Sequence, residues 1–175
     1  LFGRGRINEL ADIALLYGKK ALLVTTPASI PALRQQYDKV IKILTDKGIA
    51  VTHFDGVIPN PTTETITAGA DMARNSGAEV IIGLGGGSSM DSAKAISVEA
   101  THEGTSWDYL FYKSPQPDPS KLIPVIAVST TSGTGSQVTQ VAVITNPKVR
   151  DKSALYNNIL YPQVCIVDPE LMLSV

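Results

Sequence analysis

Cysteine and histidine are scarce: 175 residues hold one cysteine, Cys165, and two histidines, His53 and His102. A single cysteine excludes an internal disulfide, and its apolar setting in VCIV points to a buried thiol in a reducing compartment, with the cytoplasm as the expected location. His53 lies in the strand-like IAVTHFD and His102 follows a helical stretch, so no ligand spacing relates them and both read as structural or surface residues. An excess of one charge is also missing. Fifteen basic residues stand against sixteen acidic ones, a net charge of −1 that gives no footprint for nucleic acid or an acidic membrane surface. No apolar run reaches membrane-spanning length and no targeting peptide is visible; Leu1 and the apolar DPELMLSV read as cut ends. Repeats and low-complexity tracts are lacking too.

What the chain does have is a 43% hydrophobic composition, enough for a real core, arranged in regular alternation. A helix is expected over Ile7 to Tyr17, stopped by Gly18, then a strand at Ala21 to Thr25. Pro31 opens a helix carrying Leu33, Tyr37, Val40, Ile41 and Leu44 at helical spacing, followed by a strand at Ile49 to Phe54. Asn60 before Pro61 reads as a cap and first helical residue, with Ile66, Ala70 and Ala73 inward and Gly77 as the stop. The strand Val80 to Leu84 leads to a helix presenting Ala93, Ile96 and Ala100 on one face. Residues 103 to 121 read as loop, broken by Pro115, Pro117 and Pro119 and packed down by Trp107, Tyr109, Phe111 and Tyr112. Leu122 to Val128, Val138 to Thr145 and Gln163 to Val167 add strands. Short apolar strands separated by amphipathic helices predict a doubly wound, mostly parallel α/β sheet with helices on both faces.

The glycine run in EVIIGLGGGSSMDSAKAI ends one of these strands and opens a helix almost at once. Gly85, Gly86 and Gly87 let the backbone take φ > 0 and approach a ligand, while free helix N-terminal amides and the dipole favour concentrated negative charge. A diphosphate, and hence a dinucleotide, is the leading ligand; a tight turn needing glycine only for packing is the competing reading. GxGxxG fails because Ser88 stands where the third glycine belongs, and the P-loop fails because Lys94 lies too far along the helix. A second loop, Ser129 to Thr139, combines glycines and hydroxyls after another strand, so it falls at the sheet edge where ligands collect in such folds. A solvated loop satisfying its own backbone is the alternative.

FGRGRINEL, KALLVTT, PNPT, GGGSSMDSAKAI, TTSGTGSQVT and VDPELM, in that order, make the chain resemble the iron-containing (group III) alcohol dehydrogenases of the dehydroquinate-synthase-like superfamily. The resemblance implies a Rossmann-like dinucleotide-binding domain over residues 1 to 175. Hydride would pass between an alcohol or aldehyde and NAD or NADP, with iron or zinc gripping the alcohol oxygen as Lewis acid. In that family the metal ligands, an aspartate and three histidines, belong to a helical second domain absent from this chain, so the expectation here is cofactor binding without turnover. Relatives assemble as dimers or larger, implying a homo-oligomer at full length. A polyol dehydrogenase, a dehydroquinate-synthase-like lyase and a non-catalytic nucleotide-binding module are the alternatives.

By the same resemblance Gly86, Gly87 and Ser88 contact the diphosphate, and Thr130, Thr131 and Thr134 embrace the cofactor. Lys152 approaches its ribose, and Asp91 lies toward the nicotinamide and substrate. Asp91 also reads as a dipole-stabilising residue of the first helical turn. Lys94 either crosses the cleft or is a surface lysine, and Gln137 departs from the usual glutamate, which leaves it without a catalytic role. Thr26 stands where many NAD-preferring relatives carry an aspartate for the adenosine ribose, so a 2′-phosphate meets no like charge there.

Overall fold

The computed structural model describes residues 1–173. Five strands, β1 (Lys20–Val24), β2 (Ala50–Phe54), β3 (Val80–Gly85), β4 (Val125–Ser129) and β7 (Val164–Val167), form one sheet in the order β2-β1-β3-β4-β7, every pairing parallel. The remaining two, β5 (Val141–Asn146) and β6 (Asp151–Tyr156), make a separate antiparallel hairpin. Four α-helices intervene: α1 (Leu10–Ala14), α2 (Pro31–Thr45), α3 (Thr63–Ser76) and α4 (Gly87–Thr101).

Side chains that alternate along each strand supply two cores. Leu23, Ile82 and Val128 face α1 and α2, where Leu10, Ala14, Tyr37, Val40 and Leu44 are buried. Leu22, Val24 and Ile81 face α3 and α4, with Ile66, Ala70, Ala93 and Ile96 beneath the hairpin's Ala142, Ile144 and Leu155. Burying each Leu, Ile or Val is worth about 1.5–3 kcal/mol, so sealing both faces of the sheet outweighs any propensity of its short strands.

The chain leaves β1 toward β2 on one side and returns through β3 on the other. The winding therefore reverses between β1 and β3, and the crevice beyond their carboxyl ends is where open α/β sheets bind ligands.

Several sequence expectations need correcting. The α3 cap is Thr62, whose hydroxyl accepts from the Thr65 amide, and Asn60 instead takes a left-handed φ of 56°. The Pro61 carbonyl accepts the Thr145 amide at 2.9 Å and Thr62 bridges Thr145, which holds this segment extended and delays the helix. The expected strand over Val138 to Thr145 starts only at Val141, after a 3-10 turn at Ser136–Val138, and joins the hairpin rather than the main sheet. Its partner β6 was not expected from the sequence. Among the loop aromatics, Trp107 and Tyr109 pack on the core, whereas Phe111 and Tyr112 stay exposed, edge to face with each other. The first helix begins as a 3-10 turn at Arg6–Glu9, where the Ile7 amide donates to buried Asp168. Cys165 is half-buried rather than buried, and that partial burial raises its thiol pKa.

Candidate cofactor-binding site

β3 runs into Gly85, whose φ of +146° belongs to glycine, and a Cβ there would stand 2.5 Å from Ser89 Oγ. Gly86 caps α4 in extended backbone without any side-chain hydrogen bond, and its carbonyl accepts the Met90 amide at 3.3 Å. Within the described residues, the amides of Gly87, Ser88 and Ser89 meet no acceptor. Three aligned donors at the positive end of a 15-residue helix therefore point out of the sheet edge.

The hydroxyl loop after β4 roofs this turn. Thr130 donates its amide to Gly85 O at 3.0 Å, and Ser129 Oγ donates to Thr131 O at 2.8 Å. A Cβ on Gly86 would lie 3.2 Å from Thr131 Oγ1, and one on Gly87 would lie 3.3 Å from Thr134 Cβ, so the two loops touch across glycine backbone. Thr131 Oγ1 and Ser89 Oγ are buried with no hydrogen-bond partner. Orphaned hydroxyls beside unpaired amides, with no carboxylate among these groups, fit a diphosphate.

Asp91 sits in the second turn of α4, not the first, and does not cap the helix. Its Oδ1 accepts from Ser136 Oγ at 2.6 Å and its Oδ2 from the Val143 amide at 3.1 Å. Burial raises the Asp91 carboxyl pKa, opposed by those hydrogen bonds and by Lys94 and Lys152. Lys94 neither crosses the cleft nor lies on the surface: it is fully buried and donates to Ser136 O at 2.6 Å, Ser136 Oγ at 3.1 Å, Thr139 O at 2.8 Å and Val141 O at 2.8 Å. Burial pushes its pKa down to about 8, with Asp91 pulling the other way, so the amine carries its proton at neutral pH.

Thr26, just past β1, places its hydroxyl 3.0 Å from Tyr37 OH, and neighbouring Thr25 meets His53 Nε2 at 2.9 Å. Desolvation lowers the His53 pKa. Lys152 is exposed on β6 and donates to Asn60 Oδ1 at 2.7 Å, while Gln137 Oε1 is buried without a partner. The structure thus brings Gly86, Gly87, Ser88, Thr130, Thr131 and Thr134 to one edge, with Thr26 across the crevice just past the end of the adjacent strand β1. Ser136, which joins Asp91 to Lys94, escaped sequence reasoning because its partners are 42 or more positions away. Two clefts, of about 330 Å³ beside Tyr17, Ser97 and Tyr161 and about 680 Å³ beside Glu64, Trp107 and Lys148, lie apart from the glycine turn.

No group of three or more His, Cys, Asp or Glu side chains among the described residues is placed to hold a metal ion. His53 and His102 serve local contacts, the latter accepting the Asp118 amide at 2.8 Å through Nε2. The described residues therefore offer no side-chain cluster that fits a metal centre.

A parallel sheet whose winding reverses beside a glycine turn and an uncapped helix defines a Rossmann-like α/β fold. The chain belongs to the iron-containing alcohol dehydrogenase family, whose model matches residues 1–169. It is 40% identical over 173 residues to a choline dehydrogenase of Bacillus subtilis (strain 168), covering 98% of this chain and 42% of that protein. A 1,3-propanediol dehydrogenase of Citrobacter freundii is 39% identical over 99% of this chain and 44% of its own length. Among solved structures, the archaeal halo-thermophilic Red Sea brine pool alcohol dehydrogenase superposes with a TM-score of 0.92 at 36% identity, over 98% of this chain and 44% of that one. Sulfoacetaldehyde reductase from Bifidobacterium kashiwanohense, in complex with NAD+, gives 0.87 at 34% identity, over 99% of this chain and 45% of that one. The chain thus spans less than half the length of these relatives.

Proposed function

We propose that residues 1 to 175 are the dinucleotide-binding domain of a metal-dependent alcohol dehydrogenase that moves hydride between an alcohol or aldehyde and NAD or NADP. The observation that carries this reading is the set of unused amides at Gly87, Ser88 and Ser89 beneath Thr131 and Thr134, at the point where the sheet's winding reverses. A bound nicotinamide supplies the hydride acceptor or donor. This chain's residues do the holding. The amides and the Thr131 hydroxyl take the diphosphate, Thr130 and Thr134 line its flank, and Thr26 faces the adenosine ribose. Lys152 approaches the cofactor ribose, and Asp91 lies toward the nicotinamide and substrate. The family resemblance implies that the iron or zinc is held by an aspartate and three histidines of a helical second domain.

Thr26 carries no charge and is already engaged by Tyr37, so a 2′-phosphate meets no carboxylate at that position. NADP(H) is accordingly bound at least as well as NAD(H). The cytoplasm is the assigned location, with a homo-oligomer at full length and no nucleic-acid or membrane partners; no helix among the described residues is long and apolar enough to cross a membrane.

Calorimetric titration with NAD(H) and NADP(H) tests both statements. Dissociation constants on the order of 1 μM to 1 mM for either cofactor support the reading, and absence of binding rejects it. A preference for NAD(H) above about tenfold, or 1.4 kcal/mol, rejects the Thr26 argument alone.

A further inference from the structure

Among the described residues, Lys94 is the largest fully buried side chain. Lysine is almost never fully buried without a compensating role, and an apolar residue of similar volume usually serves a core at least as well. The compensation at Lys94 is concentrated on one segment. Its acceptors are the carbonyls of Ser136, Thr139 and Val141 and the Ser136 hydroxyl, which together follow the chain from the 3-10 turn into β5. Asp91, three residues earlier and on the same helical face, takes the Ser136 hydroxyl and the Val143 amide. Two side chains of α4 therefore grip the 136–143 segment through both donors and acceptors.

The other end of the hydroxyl loop is fixed independently, by the Thr130 amide on Gly85 O and the Ser129 hydroxyl on Thr131 O. The residues between, including Thr131 and Thr134, are strung from the end of β4 to the Lys94 ammonium. Thr134 and Gly133 are exposed, Gly133 and Gly135 have φ of +98° and +69°, and the Ser136 amide donates to Thr134 Oγ1 at 3.4 Å, so Thr134 is tied to the very residue that Lys94 holds. We propose that Lys94 is a positioning residue of the cofactor site: held beneath the loop, its ammonium fixes where Thr131 and Thr134 stand over Gly86 and Gly87. It touches no ligand and acts through Ser136. The inference rests on the diphosphate reading of that cradle.

Lys94→Met keeps the length and apolar stem and removes all three donors. Titration of wild type and variant with ADP-ribose and AMP, together with amide hydrogen exchange, reads the effect. The expected result is a tenfold or greater loss of ADP-ribose affinity with a smaller loss for AMP, and faster exchange at Thr134 to Gln140 while β3 amides keep their protection. An unchanged ratio of ADP-ribose to AMP affinity in a folded variant overturns the proposal, because a merely structural lysine weakens both ligands alike. Should Lys94→Met fail to fold, Ser136→Ala removes the hydroxyl shared by Lys94 and Asp91; a loss of about threefold in the same ratio supports the positioning role, and no change overturns it. If wild type binds neither ligand, the cofactor reading fails; loop amides that then exchange alike in wild type and variant overturn the clamp as well, and faster exchange in the variant upholds it.

Discussion

Helices α3 and α4 lie side by side on the same face of the sheet and begin in opposite ways. In α3 the Thr62 hydroxyl satisfies an N-terminal amide, and the helix buries a narrow stripe of Ile66, Gly69, Ala70 and Ala73. In α4 the cap is Gly86, no side chain covers the first amides, and almost every residue from Ser89 to Glu99 is buried, including Lys94 and Glu99. A helix built only for stability looks like α3. The start of α4 forgoes a cap worth about 1 kcal/mol and leaves its donors available, and its buried charges are matched by partners from other segments: Ser136 and Val143 for Asp91, Thr67 and Ser106 for Glu99.

The contrast is broken most strongly at Asp91. Asp91→Ala strands the Ser136 hydroxyl proton and the Val143 amide and removes the carboxylate charge that favours the Lys94 ammonium, at an expected cost of about 2–4 kcal/mol in urea denaturation. A loss below about 0.5 kcal/mol would show that the buried network of α4 is dispensable.

Lys94 gives the next largest effect and a pH signature. An unfolded lysine titrates near 10.5 and Lys94 near 8. Between those values the unfolded chain holds the extra proton, so this group's contribution to stability rises with pH and is flat below and above the window. Wild type should therefore gain up to about 3 kcal/mol relative to Lys94→Met between pH 8 and pH 10.5. Parallel stability curves for the two proteins over that range would contradict this.

At the glycine turn, Gly85→Ala forces a side chain into a φ of +146° and onto Ser89. A destabilisation of roughly 1–3 kcal/mol should come with loss of NAD(H) binding, whereas full binding in a folded variant would show that the turn tolerates a side chain. On α3, Thr62→Ala should cost about 1 kcal/mol and leave cofactor affinity unchanged in the same titration. The smallest effect belongs to the exposed Asp71–Arg74 pair of α3, where Asp71→Asn should change stability by less than about 0.5 kcal/mol.

The same contrast divides what could be read from the sequence. The five parallel strands, the α2 and α3 stripes and the glycine stop at Gly77 follow from periodicity and punctuation, which are local. The glycine turn was legible for the same reason, since Gly85 to Ser89 carry their own conformational signal. Lys94 was not. Its charge suggests solvent, and only the Ser136, Thr139 and Val141 oxygens, 42 to 47 positions away, make burial tolerable. Asp91 was misplaced because a carboxylate near a helix start looks like a dipole partner until the Val143 amide, 52 positions off, is in view. β6 was missed although Asn146, Pro147 and Arg150 form the turn that folds it back on β5, with Asn146 Oδ1 accepting the Lys148 amide.

The antiparallel hairpin shares no ladder with the five-stranded sheet. It hangs instead from Pro61, from the Asp91 and Lys94 side chains and from the backbone of Phe111. Cooperativity between the two is consequently not carried by continuous pairing. Sub-global opening can lift the hairpin while the parallel strands stay zipped, and that excursion uncovers the Asp91 and Lys94 side chains that hold it.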